Sequence, residues 1–256
     1  MTNTAKNILV TGGTGALGSL LVPRLVEAGQ KVRVLTRGTR PADESVEYVA
    51  CDLLKGEGVD EAVAGVDTIV HLAGGPKGDD VATGHLVAAA KKAGVGHIVY
   101  ISVIGADTMP IGYFRAKHGA ERAIAESGIP YTTLRAAQFH YLALNIVRSM
   151  TKMPFLPVPG GLRFQPVDAR DVADRMLELT LGEPAGLVPD LTGPTVYDVR
   201  ELAAGYLAAT GKKRVKLPVR IPGKIGKAYR AGENLTLEGA LVGTRTFEDY
   251  LATELV

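Results

Sequence analysis

Two residues of this 256-residue chain, Tyr113 and Lys117, have the types and spacing that proton-transfer chemistry requires. They lie in the stretch GYFRAKHGAERA, and residues four apart share one face of a helix. A phenol titrates at about pH 10, and a neighbouring cation eases its ionisation. The pair is therefore either a proton-transfer device or two residues on a solvated surface, and the rest of the chain has to decide between them.

The elements that would position this pair alternate between strand and helix patterns. Such alternation predicts an α/β fold, a doubly wound parallel sheet whose two faces are covered by helices. Strand patterns cover 7–11, 31–37, 46–51, 67–73, 97–102 and 131–136, and helical patterns cover 16–29, a short stretch around 58–64, 81–94 and 113–127.

The alternation breaks in the C-terminal part of the chain. The segment KMPFLPVPGG (152–161) holds three prolines and two glycines among large apolar residues, and we expect an apolar loop that covers a pocket. A short strand and a helix starting near Asp168 or Ala169 follow, and then helices at 198–210 and 246–253. We therefore predict a small C-terminal substrate-binding lobe.

Composition limits the class of protein. No run of about eighteen apolar residues is present, and the N-terminus lacks an apolar segment of signal-peptide length, so we expect a cytoplasmic protein without a membrane partner. The single cysteine, Cys51, excludes an internal disulfide and is expected to be a packed small residue. The five histidines have no short ligand spacing with a carboxylate, and we expect no metal.

The charge is small overall but unevenly distributed. A net charge of +2 does not indicate a nucleic-acid partner. Between Gly211 and Gly232, however, there are eight Lys or Arg residues and no Asp or Glu. This segment is either a solvated surface or a site of attraction for an anionic ligand, polymer or partner.

A glycine-rich stretch, VTGGTGALG (10–18), follows the first strand and opens the first helix. Its Gly12, Gly15 and Gly18 have the spacing G-x-x-G-x-x-G. At a strand-to-helix turn, glycines permit a tight turn and a close approach of the backbone to a pyrophosphate, whose charge the helix N-terminus favours. We therefore predict a dinucleotide site here. Its other expected contacts in the loop are Thr14, Ala16 and Leu17.

The end of the second strand bears on the type of dinucleotide. NAD-binding proteins usually place an acidic residue there, where it binds the ribose hydroxyls. The stretch LTRGTR supplies Thr36, Arg37 and Arg40 instead, and an arginine fork suits a 2′-phosphate. We expect NADP(H) in preference to NAD(H), with Arg37 as the stronger candidate and Arg40 as a residue that could simply belong to the loop.

The third and fourth strands end in the short segments CDLL and HLAGG. We expect the first to reach the adenine amine, and the second to let a small-residue backbone pass beside the cofactor. His71 belongs to the fourth strand, and a satisfied core histidine is the expected role. The predicted cofactor contacts in these segments are Asp52, Leu53, Leu72, Ala73 and Gly74.

Together these motifs resemble the short-chain dehydrogenase/reductase superfamily, and more narrowly its atypical, NmrA-like NAD(P)H-binding branch. The resemblance rests on TGGTGALG, CDLL, LAGG, YFRAK, TLRAAQF and the serine that closes the fifth strand, over about residues 6–182. It implies that Tyr113 gives a proton to a substrate carbonyl oxygen. It also implies that Lys117 binds the nicotinamide ribose and eases ionisation of the phenol, and that Ser102 helps to hold the substrate.

The resemblance further implies a pocket built from LRAAQFHYLALN (134–145), which passes the nicotinamide in relatives. His140 would make either a hydrogen bond to a substrate oxygen or an ordinary polar contact. The implied cofactor contacts are Arg135, Ala136 and Ala137, and the implied pocket residues are Gln138, Phe139, His140 and Phe155.

The predicted domains follow from these assignments. Residues 1–150 form an NAD(P)-binding Rossmann core, to which residues 164–182 return. Residues 151–163 and 183–256 form the smaller substrate-binding or lid lobe.

Three functions stay open, and a reductase is favoured. It would be an NADPH-dependent oxidoreductase acting on a carbonyl or quinone group of a small, largely apolar substrate, with Tyr113 as the proton donor. The second is a noncatalytic NAD(P)H-binding redox sensor of NmrA type, because the asparagine-rich motif of the classical family is absent after the fourth strand. The third is a nucleotide-sugar epimerase or dehydratase. We expect a small-molecule substrate, no nucleic-acid partner, and a monomer or homodimer.

Overall fold

A computed structural model of the protein describes residues 5–38, 40, 41, 43–75 and 77–255. Strands and helices alternate through β6, except that β3 follows β2 without a helix between them. In chain order the elements are β1 (Asn7–Thr11), α1 (Gly18–Glu27), β2 (Lys31–Thr36), β3 (Val46–Ala50), α2 (Val59–Val63), β4 (Thr68–His71), α3 (Asp79–Ala93), β5 (His97–Val103), α4 (Gly112–Ala125), β6 (Tyr131–Ala136), α5 (His140–Thr151), β7 (Phe155–Pro159), β8 (Arg163–Phe164), α6 (Ala169–Leu181), β9 (Gly186–Leu187), β10 (Leu191–Thr192), β11 (Tyr197–Asp198), α7 (Val199–Ala209), β12 (Val215–Val219), α8 (Gly223–Ala231), β13 (Leu241–Val242) and α9 (Phe247–Glu254).

The chain packs as two compact units. The first contains the described residues of Met1–Ser102, Arg115–Leu134 and Ala173–Val188. The second contains those of Val103–Phe114, Arg135–Val172 and Pro189–Val256. The domain boundaries given above stay a prediction.

A mostly parallel sheet organises the first unit, in the strand order β6-β5-β4-β1-β2-β3, with β9 paired to β6. The pairs β1·β2, β1·β4, β2·β3 and β4·β5 are all parallel. Every residue of β4 and β5 is buried, because helices pack over the sheet. Ile69 and Ile98 of these strands share a core with Leu86 of α3 and Ile124 of α4. The predicted parallel α/β fold is confirmed.

The second unit has a separate apolar core. Phe247 of α9 and Leu156 of β7 are fully buried there, beside Val147 of α5 and Leu202 of α7. Helices α7 and α9 both begin with a capping box, in which the side chain of the capping residue and an acidic side chain three residues later satisfy exposed N–H groups. None of the helices in the described ranges is both long and apolar enough to cross a bilayer.

The proline-rich segment is a strand, so the expected apolar loop at 152–161 is wrong. β7 pairs in parallel with β12, and its burial alternates along the chain. In the described chain these two strands form a sheet of their own. One edge of β7 is therefore unpaired, and Pro157 and Pro159 can be accommodated without losing a ladder hydrogen bond.

Helix α5 has no counterpart in the sequence-based expectation. Its capping residue, Phe139, makes no side-chain capping hydrogen bond within the described chain, so the usual polar signal for a helix start is missing. The apolar residues Ala143, Leu144 and Val147 stabilise this helix by packing into the core of the second unit.

The alternation along β7 predicts unequal effects for two neighbouring substitutions. Leu156→Ala should lower the free energy of unfolding by about 2–5 kcal/mol, because a fully buried side chain leaves a cavity. Phe155→Ala should change it by about 0.5 kcal/mol or less, because Phe155 is 55% exposed. Urea denaturation followed by circular dichroism checks both variants, and equal losses would contradict the observed strand.

Candidate functional site

The glycine loop joins β1 to α1. It packs tightly against the backbone of Leu72 and Ala73, which follow β4. Gly12 has a φ of 68°, in the left-handed region that favours glycine. A Cβ atom on Gly12 would lie 2.7 Å from the amide nitrogen of Ala73, and one on Gly18 would lie 2.3 Å from the carbonyl oxygen of Gly12. Neighbouring backbone atoms leave no room for side chains at these two glycines. Without those side chains, a ligand can approach the backbone of the loop closely.

The N-terminus of α1 suits an anion. In the described chain its capping residue, Leu17, makes no side-chain capping hydrogen bond, and the first turn has no acidic residue. The first N–H groups of a helix lack intrahelical partners and carry the positive end of the helix dipole. The loop and helix therefore fit the diphosphate of a dinucleotide.

The structure separates the two arginines predicted to contact the ribose. Arg37 directly follows the carboxyl end of β2 and is exposed. Arg40 lines a cavity of about 860 Å³ together with Asn7 and Lys31, which are the first residues of β1 and β2. Thr36 is buried, and its hydroxyl donates to the carbonyl oxygen of Gly38. Arg37 therefore lies at the edge of the sheet where the glycine loop begins, and Arg40 lies towards the opposite edge.

Asp52 follows β3, and its carboxylate closes a turn. Its Oδ1 accepts hydrogen bonds from the N–H groups of Leu54 at 3.0 Å and Lys55 at 3.2 Å. Leu53 is partly buried against the core of the first unit. Beside it, Cys51 is buried, and burial raises the pKa of its thiol to about 11. Cys51 is thus a packed thiol, as expected.

A directed chain of hydrogen bonds runs from the end of β1 to α3. The Thr83 hydroxyl donates to the carbonyl oxygen of Asp79 at 2.6 Å. Its proton is therefore engaged, and Thr83 Oγ1 must accept from His71 Nε2, 2.9 Å away. His71 Nδ1 then accepts from the Thr11 hydroxyl at 2.7 Å. Thr11 Oγ1 also accepts from the Ala73 N–H at 3.0 Å. The network assigns the Nε2–H tautomer to His71.

His71 is neutral in this network. Burial, and secondarily the charge of Lys117, lower its pKa from 6.5 to about 3. Both ring nitrogens already have protein partners. His71 is therefore a satisfied core histidine.

Lys117 is buried, so it is not one of a pair of residues on a solvated surface. Its side chain is 4% exposed. Its Nζ lies 3.2 Å from Asp79 Oδ2 and 3.4 Å from the carbonyl oxygen of Ile101, and 5.1 Å from the centre of the Tyr100 ring. Burial lowers the pKa of Lys117, and the Asp79 carboxylate opposes that shift.

Asp79, which contacts Lys117, is not indicated by the sequence patterns described above. The predicted helix starts at residue 81, whereas α3 starts at Asp79. An acidic first turn is the only sequence signal, and it is shared by Asp80, which is exposed. Sequence alone does not distinguish the buried carboxylate from the solvated one.

Ser102 and Gly74 lie at the carboxyl edge of the same sheet. The Ser102 hydroxyl is buried, and among the described residues it has no hydrogen-bond partner. A Cβ atom on Gly74 would come within 2.9 Å of Lys117 Nζ, so a side chain there would displace the ammonium group from its observed position. Leu72 extends the pairing of β4 with β1, because its N–H donates to the carbonyl oxygen of Thr11 at 3.1 Å. A buried hydroxyl that lacks a protein partner is suited to a ligand.

Tyr113 lies in the first turn of α4, one turn before Lys117. Its ring is half-buried and meets the ring of Phe114 edge-on, with 5.4 Å between the centroids. It packs against the cluster of Val103, Met109 and Ala228 in the second unit. Packing therefore orients the phenol without removing it from solvent.

The segment after β6 places its polar side chains in different surroundings. Arg135 pairs with Asp107 at 3.0 Å, and Ala136 and Ala137 are buried. Both polar atoms of the Gln138 amide are buried, and within the described chain they have no hydrogen-bond partner. Gln138 is thus the member of the predicted pocket whose chemistry is available to a ligand.

The other predicted pocket residues are less accessible or lie apart. His140 is 1% exposed, and its Nε2 lies 3.0 Å from the carbonyl oxygen of Pro166. Burial lowers its pKa, and Asp168 opposes that shift. Phe139 is half-buried beside Tyr141, and Phe155 lies on the exposed side of β7. No three His, Cys, Asp or Glu side chains of the described residues are grouped as metal ligands.

A family model for NAD(P)H-binding proteins matches residues 12–179. The chain belongs to this NAD(P)H-binding family.

Two curated relatives of this family member are reductases. The (4-alkanoyl-5-oxo-2,5-dihydrofuran-3-yl)methyl phosphate reductase of Streptomyces griseus subsp. griseus is 30% identical over 214 residues, which cover 80% of this chain and 74% of that protein. The NAD(P)H azoreductase of Xenophilus azovorans is 30% identical over 213 residues, which cover 80% of this chain and 74% of that protein. The predicted class, an NAD(P)H-dependent oxidoreductase, is confirmed.

A solved structure shares the fold. The crystal structure of the NADPH-dependent quinone oxidoreductase QOR2 from Escherichia coli, complexed with NADPH, has a TM-score of 0.82 and 20% sequence identity. The match covers 96% of this chain and 99% of that chain. At this identity the likeness shows the fold alone.

The tight glycine loop predicts a specific sensitivity of NADPH binding. Gly18→Ala should weaken NADPH binding about tenfold or more, a loss of about 1.4 kcal/mol, because the new Cβ would displace the loop backbone. Fluorescence titration with NADPH measures the dissociation constant. Gly84→Ala in α3 is the matched control, because its Cβ would meet no atom of the described chain within 4 Å. An equal loss in the two variants would contradict the role of the loop.

Proposed function

We propose that the protein is an NADPH-dependent reductase of a carbonyl or quinone group in a small, largely apolar substrate, with Tyr113 as the proton donor. The observation that carries this proposal is the burial of Lys117, one helical turn after a phenol that stays partly open to solvent. An ammonium group shielded from water acts on nearby groups more strongly than one on the surface.

The chain's own residues have distinct roles in this proposal. Tyr113 protonates the oxygen of the substrate, and Lys117 binds the nicotinamide ribose and eases ionisation of the phenol. The Ser102 hydroxyl and the Gln138 amide, both without protein partners in the described chain, contact the substrate. When bound, the nicotinamide supplies the hydride, and the protein supplies the orientation and the proton.

The relatives support reduction of a conjugated, electron-poor group. Their names refer to an alkanoyl furanone phosphate and to azo compounds. Groups of this kind accept hydride readily. The mixture of acceptors in these names supports the reaction class.

The cofactor preference rests on Arg37. Neither Asp nor Glu occupies the end of β2, where an acid would bind the hydroxyls of an NAD ribose. Arg37 is exposed there and has the charge and the planar donors to bind a 2′-phosphate.

Two arginine variants test this preference. Arg37→Ala should weaken NADPH binding about tenfold or more, because a charge-assisted hydrogen bond contributes about 1.5–3 kcal/mol, and it should leave NADH binding almost unchanged. Arg40→Ala is the matched control and should affect neither cofactor. Titration with both cofactors measures the ratio of the dissociation constants. A larger effect of Arg40→Ala than of Arg37→Ala would reverse the assignment.

Replacing the proposed proton donor tests the mechanism. Tyr113→Phe should lower the rate of NADPH oxidation with an aryl ketone by about 10²-fold or more, with NADPH affinity within about twofold of wild type. The loss should be smaller with a quinone, because a hydroquinone anion is a weaker base than an alkoxide and needs less help in taking a proton. Stopped-flow absorbance at the NADPH band measures both rates.

The outcomes separate the competing functions. Tyr131→Phe, a half-buried tyrosine at the start of β6, is the control and should keep the wild-type rate. An unchanged rate in Tyr113→Phe would remove the tyrosine from the mechanism. NADPH binding by the wild-type protein without oxidation by any quinone or aryl ketone in a broad panel would favour the noncatalytic sensor.

A further inference from the structure

The Lys117 ammonium is enclosed by groups from several elements of the first unit. Asp79 of α3 lies 3.2 Å away, the carbonyl oxygen of Ile101 lies 3.4 Å away, and the ring of Tyr100 of β5 presents its face. The charge of Glu121 of α4 also favours the ammonium, and His71 of β4 is neutral. Asp79 carries a full negative charge and is in direct contact with the lysine.

The Asp79 carboxylate is itself held in one orientation. Its Oδ1 accepts a hydrogen bond from the Gly75 N–H at 2.7 Å. The backbone carbonyl oxygen of Asp79 accepts from the Thr83 hydroxyl at 2.6 Å. The Oδ2 of Asp79 is buried and lies 3.2 Å from Lys117 Nζ. Since the side chain is 6% exposed, water does not compete for this oxygen.

We propose that Asp79 is the positioning residue of this site: its carboxylate fixes the Lys117 ammonium at the carboxyl ends of β4 and β5 and keeps it charged there. The contact is made by groups of the protein itself. The inference deepens the proposed function and rests on it, because a fixed ammonium matters to the reaction only if Tyr113 and the ribose use it.

The contact between Asp79 and Lys117 offsets the effect of burial on the charge of the lysine. Taking an ammonium group out of water favours the neutral amine, which cannot ease the ionisation of a neighbouring phenol. Burial is the largest influence on the pKa of Lys117 and lowers it, and Asp79 is the first of the influences that raise it. Without the Asp79 charge the pKa of Lys117 would fall further, and the lysine would lose its proton at a lower pH.

The protonation state of Lys117 can be measured in the protein without any cofactor. The chain is labelled with ¹³C at the Cε of lysine, and the Lys117 signal is assigned by its loss in Lys117→Arg. In Asp79→Asn the titration midpoint of this signal should fall by about one pH unit or more, because the amide keeps the shape of the side chain and removes its charge.

Asp80→Asn is the matched control. Asp80 is the next residue in the same first turn of α3, carries the same charge and is exposed. Its replacement should move the Lys117 midpoint by at most a few tenths of a pH unit, since solvent screens the charge. Equal shifts in the two variants, or none in Asp79→Asn, would overturn the proposal.

A second measurement keeps the test valid if Asp79→Asn does not fold. Asp79→Leu and Lys117→Met should each destabilise the protein strongly, because each leaves one buried charge without its partner. The double variant should be more stable in urea than either single variant, because it removes both charges. A double variant that sums the two losses would show that the residues do not act as a pair.

The kinetic readout separates this proposal from the proposed function. If Asp79 keeps Lys117 charged, the alkaline limb of the pH profile of kcat moves to lower pH in Asp79→Asn. A shift of the lysine signal, together with an unchanged rate in Tyr113→Phe, would support the positioning by Asp79 and refute the proton donor. An unshifted lysine signal in Asp79→Asn, together with a large loss of rate in Tyr113→Phe, would refute the positioning by Asp79 and support the proton donor.

Discussion

A lysine charge that is taken out of water is the constraint on which the carboxyl edge of the first unit depends. An isolated buried ammonium costs several kcal/mol, so the surrounding residues have to offset that cost. Asp79 supplies the countercharge, and the carbonyl of Ile101 supplies an acceptor. Gly74 supplies space, because any larger residue would place its Cβ against the ammonium nitrogen. Three different elements are therefore constrained by the position of Lys117.

The five residues HLAGG (71–75) connect this pocket to the glycine loop. Ala73 lies against Gly12, so that the loop after β1 and the loop after β4 touch through backbone atoms. Two residues later, the Gly75 N–H holds the Asp79 carboxylate. One short segment thus packs against the expected diphosphate site on one side and the buried ion pair on the other. Within it Gly74 has a specific reason to lack a side chain, because a Cβ atom there would meet the ammonium group of Lys117.

Local patterns explain most of what the sequence could predict. The strands β1 to β6 and the glycine loop were predictable because apolar periodicity and turn glycines are properties of neighbouring residues. The strand β7 was not, because its prolines are compatible with a strand only when one edge is unpaired, and that depends on β12, some sixty residues later. Asp79 was missed for a similar reason, because its partner, Lys117, lies far along the chain. His140 was assigned to the pocket by resemblance, but Phe247 and Tyr250 of α9 pack against its ring.

The burial of the His71 imidazole makes the fold sensitive to acid. The unfolded chain takes up a proton on this imidazole at its ordinary pKa of 6.5, whereas in the folded chain the pKa is about 3. Stability from this group is therefore complete above the higher value. It falls by about 1.4 kcal/mol per pH unit as acidification proceeds between the two values. His97, whose pKa burial lowers to about 4, adds to the same loss. The two buried imidazoles thus make the folded state progressively less stable as the pH falls below about 6.5.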